Sequence, residues 1–212
     1  MSKRAIRYAV IDAFTKEAFK GNPAAVCFLE ENSDVDEHWM QSVVQEFNAP
    51  AAAFVSPVIS AIGTNGQEES SGIGSTFAGS PIAVPICGHA TLATAHFLFS
   101  SDLAEQDTIE FVSKWGLLLA RKIIGPTFKE ETFTVELDFP VDPVVRCDVN
   151  ELPCIPLTLN GVPIINVMKT TACGDLIASQ RSGVLHLELD EESQRVRISG
   201  EAVTIMVGTI LV

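Results

Sequence analysis

The sequence predicts an α+β fold in which strands outnumber helices and one helix is enclosed by protein on every side. Two observations carry that expectation. Residues 87–99 (Cys-Gly-His-Ala-Thr-Leu-Ala-Thr-Ala-His-Phe-Leu-Phe) contain no Asp, Glu, Lys or Arg and are apolar all round, as expected of a helix with no solvent face. Most of the remaining chain reads as short β-rich runs separated by Gly, Pro, Asn and Asp.

The elements follow in order. Residues 6–14 alternate and are rich in β-formers; Gly21-Asn22-Pro23 makes a turn, and a second apolar run, 24–29, completes a hairpin-like pair. Ser33 or Asp34 can cap a helix whose apolar positions Trp39, Met40, Val43, Val44 and Phe47 recur at helical spacing, and the helix should end near Asn48-Ala49-Pro50. Residues 51–55 read as a strand despite their alanines. Residues 56–80 turn to Ser, Gly, Thr and short polar residues with little periodicity, which reads as a mobile loop or a damaged strand region. Strands are expected at 108–113 and 116–123, and a linker at 125–131 divides a first unit, 1–124, with its central helix at 88–100, from a second, 125–212. The second unit is strand-dominated, with runs at 132–139, 164–171, 183–189, 195–199 and 202–211 and no convincing helix. Val184, Leu185, Leu187 and Leu189 sit in its clearest strand, and such a layer must pack on the first unit or on another chain.

Composition narrows function. The chain has 212 residues, 47% hydrophobic, enough for one large domain or two small ones. Its 14 Lys+Arg against 27 Asp+Glu give a formal charge of −13, which repels phosphate backbones and anionic lipid surfaces, so neither nucleic acid nor membrane is an expected partner. Five cysteines, odd in number and without a C-x-x-C pair, suggest neither a disulfide framework nor a zinc ribbon, and the protein reads as cytoplasmic. The run from Ala202 to Val212 is far short of the roughly 20 apolar residues a membrane helix needs.

The candidate chemistry gathers at the start of the enclosed helix. Gly88 and His89 fall where unpaired backbone N–H groups and the positive dipole end would face a small anion. The dipole should lower the His89 pKa, keeping the imidazole neutral near pH 7 and able to donate a hydrogen bond or shuttle a proton; capping the helix is its structural alternative. Cys87 is a candidate base at a helix N-terminus, set against its more ordinary role as a small buried hydrophobe. His96, seven residues on, lies roughly 10 Å along the axis, so it cannot share a metal with His89. No cluster at ligand spacing indicates a metal or cofactor, and His38, His186 and Glu46 read as surface residues.

Asp12-Ala13-Phe14, Phe19-Lys20-Gly21-Asn22-Pro23-Ala24-Ala25-Val26, Glu46-Phe47-Asn48 with Ala53-Phe54-Val55, and Cys87-Gly88-His89-Ala90-Thr91-Leu92-Ala93 together resemble the phenazine biosynthesis-like (PhzF-like) family. The resemblance continues in Glu136-Leu137-Asp138-Phe139-Pro140, Leu159-Asn160-Gly161, Arg181-Ser182-Gly183-Val184 and Gly200-Glu201-Ala202-Val203-Thr204. It implies a diaminopimelate-epimerase-like fold: two units, each a curved sheet or barrel around a central helix, with a site in the cleft between them. It implies cofactor-independent proton transfer within a small carboxylate-bearing substrate, with Gly88, His89 and Asn22 at the binding site and a Glu as acid and base.

The chain departs from that pattern in three places. Ala51 stands where the resemblance places the Glu. An Arg-Trp-Phe-Thr-Pro-like run before the Gly-His pair is replaced by Ser75-Thr76-Phe77-Ala78-Gly79-Ser80-Pro81-Ile82-Ala83. After Ala172-Cys173-Gly174-Asp175-Leu176-Ile177 the sequence passes to Ser179-Gln180-Arg181 without the second central helix or its Asp-Pro-x-x-Gly-Ser-Ala motif, so the second unit is truncated. The expectation is an isomerase homologue with weak or no activity. The alternatives are a non-catalytic remnant that binds a small anion or pairs with a full-length relative or a second copy, and a Cys-based racemase or epimerase in which Cys87 faces Cys173.

Overall fold

The computed structural model describes residues 5–30, 35–58, 72–79, 83–84, 87–101, 103–104, 106–113, 116–125, 132–141, 144–146, 158–159, 162–163, 168–170 and 181–212. The chain begins with the antiparallel pair β1 (Ala5–Ala13) and β2 (Asn22–Phe28). Asn22 and Pro23 belong to β2, so the connection between the strands is 14–21 rather than the Gly-Asn-Pro turn expected. Gly21 has φ +61°, and a Cβ there would lie 2.1 Å from the Ala13 carbonyl oxygen, so only glycine closes this connection.

Next come helix α1 (Glu37–Phe47) and strand β3 (Ala51–Val58), which runs parallel to β2. A parallel pair needs a crossover, and α1 supplies it. Its cap is Asp36, whose Oδ1 accepts from the Trp39 N–H at 2.7 Å, correcting the expectation of Ser33 or Asp34, both outside the described residues. Asn48 ends the helix in the left-handed region, at φ 47°. Val43 and Val44 pack with Ala25, Cys27, Ala52 and Phe54 on the outer face of β2 and β3.

Strand β4 (Gly72–Gly79) pairs antiparallel with β3 and parallel with β6 (Thr108–Ser113), and the short β5 (Ala83–Val84) pairs with β4. A strand therefore occupies part of the polar stretch read as a loop or damaged strand; residues 59–71 lie outside the description. Backbone pairing on both sides sets its conformation where the side chains give little β preference. Helix α2 (Gly88–Ser100) is the crossover between β4 and β6.

Strands β7 (Gly116–Ile123) and β8 (Thr134–Pro140) continue the sheet; then follow β9 (Val144–Arg146), β10 (Thr158–Leu159), β11 (Val162–Pro163), β12 (Met168–Thr170), β13 (His186–Asp190), β14 (Arg195–Gly200) and β15 (Ala202–Leu211). The main sheet has 11 strands in the order β13-β14-β8-β7-β6-β4-β3-β2-β1-β15, with β5 beside β4. It is open, not closed into a barrel: among the described residues β13 and β15 are its edges. The sheet crosses position 124, with β8 paired to β7 and β15 to β1. Of the linker expected at 125–131, residues 126–131 lie outside the described residues, which contain no helix after Ser100.

α2 fixes where the core sits. It packs against β1, β2, β3, β7, β8 and β15, so the sheet bends around it. Alternation on β8 directs Val135, Leu137 and Phe139 inward, while Glu136 and Asp138 turn out to Arg121 at 3.0 Å and Arg195 at 2.8 Å. Ala24, Val26, Ala51, Ala53 and Val55 face α2, and the alternate residues face α1. Burial on both faces explains why β2 and β3 lack a polar side. Within α2 the buried hydroxyls of Thr91 and Thr94 donate to the Cys87 and Ala90 carbonyls at 2.9 and 2.8 Å, so two polar residues fit an enclosed helix.

Candidate functional site

Cys87 is the N-cap of α2, in extended conformation at φ −146°, and its side chain makes no capping bond. Its carbonyl accepts the Thr91 N–H at 2.9 Å, beginning the helix and leaving the first-turn N–H groups at the helix end. The Cys87 Sγ lies 3.3 Å from His89 Nδ1. In the tautomer with its proton on Nε2, Nδ1 accepts from the thiol and Nε2–H remains a donor. Burial pushes the His89 pKa down to about 4. The direction agrees with the sequence-based expectation, with desolvation as its cause. At neutral pH His89 is uncharged and offers one donor and one acceptor.

At Gly88 a Cβ would meet only the Phe139 ring, at the ordinary contact distance of 3.8 Å, so packing does not demand glycine. Asn22 begins β2 opposite Ala13. By strand alternation it shares the α2-facing side with Ala24 and Val26, but makes no hydrogen bond to Cys87, Gly88 or His89 among the described residues. Ala51 is 2% exposed on that same face and contributes a methyl group to the core. Cys87 is the one described side chain hydrogen-bonded to His89. Cys173 lies outside the described residues.

His96 is structural. Its ring stacks on Phe133 with centroids 5.2 Å apart, Ser100 Oγ lies 3.5 Å from Nε2, and burial lowers its pKa to about 4. His38, His186 and Glu46 are exposed, and the described residues contain no metal-binding cluster. Cys27 is a core thiol on β2, pushed up to about 12 by burial.

From sequence, Asp12 had a place in the Asp12-Ala13-Phe14 motif but no structural role. Its buried carboxylate accepts from the Phe19 N–H at 2.7 Å on Oδ2 and from Arg181 Nη1 at 3.0 Å on Oδ1. A carboxylate engaged on both oxygens ties the β1–β2 connection to the segment that leads into β13; a lone Asp at the end of an apolar strand was the available signal.

An open sheet bent around a buried helix, with an uncharged His and a Gly at the helix N-terminus, defines an α+β protein of the diaminopimelate-epimerase-like fold. The family of phenazine biosynthesis-like proteins matches residues 11–179, and the chain belongs to that family. Phenazine biosynthesis-like domain-containing protein 2 of Mus musculus is 38% identical over 143 residues, 68% of this chain and 45% of its own length. An uncharacterized isomerase of Halalkalibacterium halodurans is 39% identical over 132 residues, 62% of this chain and 42% of its own length. The chain thus spans about half the length of the curated relatives it matches. In fold it is similar to a PhzF-family phenazine biosynthesis protein of Enterococcus faecalis, with a TM-score of 0.67, 22% identity and coverage of 99% of this chain and 100% of that one. No helix among the described residues is long and apolar enough to cross a membrane.

Proposed function

We propose that the protein is an isomerase homologue that binds a small carboxylate-bearing molecule at the N-terminus of α2 and turns it over weakly or not at all. The neutral His89 at that helix end carries the reading: its Nε2–H and the first-turn backbone N–H groups supply donors for a carboxylate, without a counter-charge that would titrate near pH 7. Family membership and relatives named as isomerases support cofactor-independent proton transfer as the ancestral chemistry. Ala51, at the position where the family pattern has Glu, supports the low turnover: a methyl group cannot take a proton from carbon. The reading keeps the cytoplasmic placement drawn from cysteine usage.

The test is a titration with benzoate followed by backbone amide NMR. The amides of Gly88, His89 and Ala90 should shift on saturation in the wild type, and His89→Ala should weaken binding about tenfold or more. An absence of shifts there, with every carboxylate tried, refutes binding at this end of the helix.

The 3.3 Å contact between Cys87 and His89 favours one second reading, in which the Cys87 thiol, held at the helix N-terminus by that contact, loses its proton to solvent and serves as the base. Cys87→Ser would abolish residual proton exchange on that reading and leave it unchanged on the first.

A further inference from the structure

A cleft of about 410 Å³ opens between the β1–β2 connection and the segment entering β13, and its lining includes neither Asn22 nor any residue of α2. It is therefore distinct from the His89 site, and its case does not depend on that reading. Phe14, a residue of the hydrophobic core, is part of its lining. A Cβ at Gly200 would come within 2.5 Å of the Phe14 ring, and one at Gly183 within 3.0 Å of the Phe14 carbonyl oxygen, so both walls close directly on this residue.

The cleft is held rigidly. Three backbone bonds join its sides: Gly21 N–H to the Ser182 carbonyl at 2.7 Å, Val184 N–H to Phe14 at 2.8 Å, and Thr15 N–H to Glu201 at 3.0 Å. The buried Asp12 binds the Phe19 N–H on one side and Arg181 on the other. Phe14 and Phe19 are held at φ 64° and 67°, a strained backbone region for such residues that recurs at ligand clamps. Asp12 holds Phe19 in that state and thereby sets the position of Lys20, the next residue.

The charges that line the cleft are balanced. Lys16 and Glu201 form an ion pair at 3.1 Å. Lys20 and Glu17, on the same short connection, form no ion pair with each other or with another described residue. A simple anion would meet Glu17 and Glu201, and a simple cation would meet the two lysines; a molecule carrying both charges meets one of each.

We propose that this cleft binds a small amino-acid-like zwitterion, its carboxylate on Lys20, its ammonium on Glu17 and its apolar body against Phe14. The volume lies at the low end of the range of small-molecule sites.

The experiment titrates the whole chain with L-phenylalanine, with phenethylamine, which lacks the carboxylate, and with 3-phenylpropionate, which lacks the ammonium, reading amide shifts and Kd by NMR. The expected result is perturbation of residues 14–20 and 182–186, with L-phenylalanine bound about tenfold more tightly than either singly charged analogue. Lys20→Ala and Glu17→Gln, both exposed positions, should each weaken it about tenfold, and His89→Ala should leave it unchanged. Equal affinity for the three probes, insensitivity to Lys20→Ala, loss of binding in His89→Ala, or no shift in either segment would overturn the proposal. Failure here leaves the benzoate titration at α2 unaffected, so the two sites are tested separately.

Discussion

α2 and β13 are both rich in leucine, yet they end in opposite environments. Leu92 and Leu98 are fully buried, whereas Leu187 and Leu189 are 64% and 56% exposed. α2 has sheet around it, from β1 through β3, β7, β8 and β15; among the described residues β13 pairs with β14 alone and forms one edge of the sheet. The difference shows that apolar periodicity specifies an element, whereas burial requires a second layer to receive it. On the proposed reading, the second central helix of the family pattern would have been that layer, and its motif is missing from the sequence.

Substitutions can break this contrast, beginning with the largest effect. Leu92→Ala should lower the unfolding free energy by about 2–5 kcal/mol in denaturant melts, since the cavity forms inside a helix enclosed on all sides. A loss comparable to that of a surface change would mean that α2 is loosely packed. Asp12→Ala should cost about 1–3 kcal/mol by stranding the Phe19 N–H and removing one partner of Arg181. It should also increase amide exchange in both the 14–21 connection and the segment from Arg181 to Val184.

His89 and His96 link the same core to pH. Each has a folded pKa of about 4 against 6.5 for the ordinary imidazole. Between those values the unfolded chain binds more protons, so stability is highest above about pH 6.5 and falls as pH drops toward 4, with a slope of up to about 1.4 kcal/mol per pH unit for each imidazole. His89→Gln should remove its share of that slope, and melts at stepped pH would show it; an unchanged slope would place His89 in water. The smallest effect belongs to the edge: Leu187→Ser should change stability by no more than about 0.5 kcal/mol, because that side chain already faces solvent.

The same contrast accounts for what could be read from residues alone. The enclosed helix, the strands at 108–113, 116–123 and 202–211, and the amphipathic α1 were legible because their signals are local. β4 was not, since its glycines and small polar residues show little strand preference and only pairing with β3 and β6 holds it extended. The cap moved to Asp36 because several short polar residues in succession could each have served. Cys87, Gly88 and His89 were placed at the helix start by sequence, but the origin of the His89 shift in burial depends on a surrounding sheet that spacing does not reveal. Asp12 acquires its role from Arg181, 169 residues away, and no local pattern carries that information.

On the proposed reading, the α2 end binds a carboxylate but lacks the means to move its proton. Deuterium incorporation from D₂O into cyclic and amino-acid-like carboxylic acids, followed by proton NMR while the Gly88 and His89 amides report occupancy, tests it most directly. Saturable amide shifts should appear while carbon-bound proton exchange stays at or near the buffer rate. Rapid exchange that disappears in His89→Ala would contradict it, by showing that a working acid–base pair survives without a carboxylate at position 51.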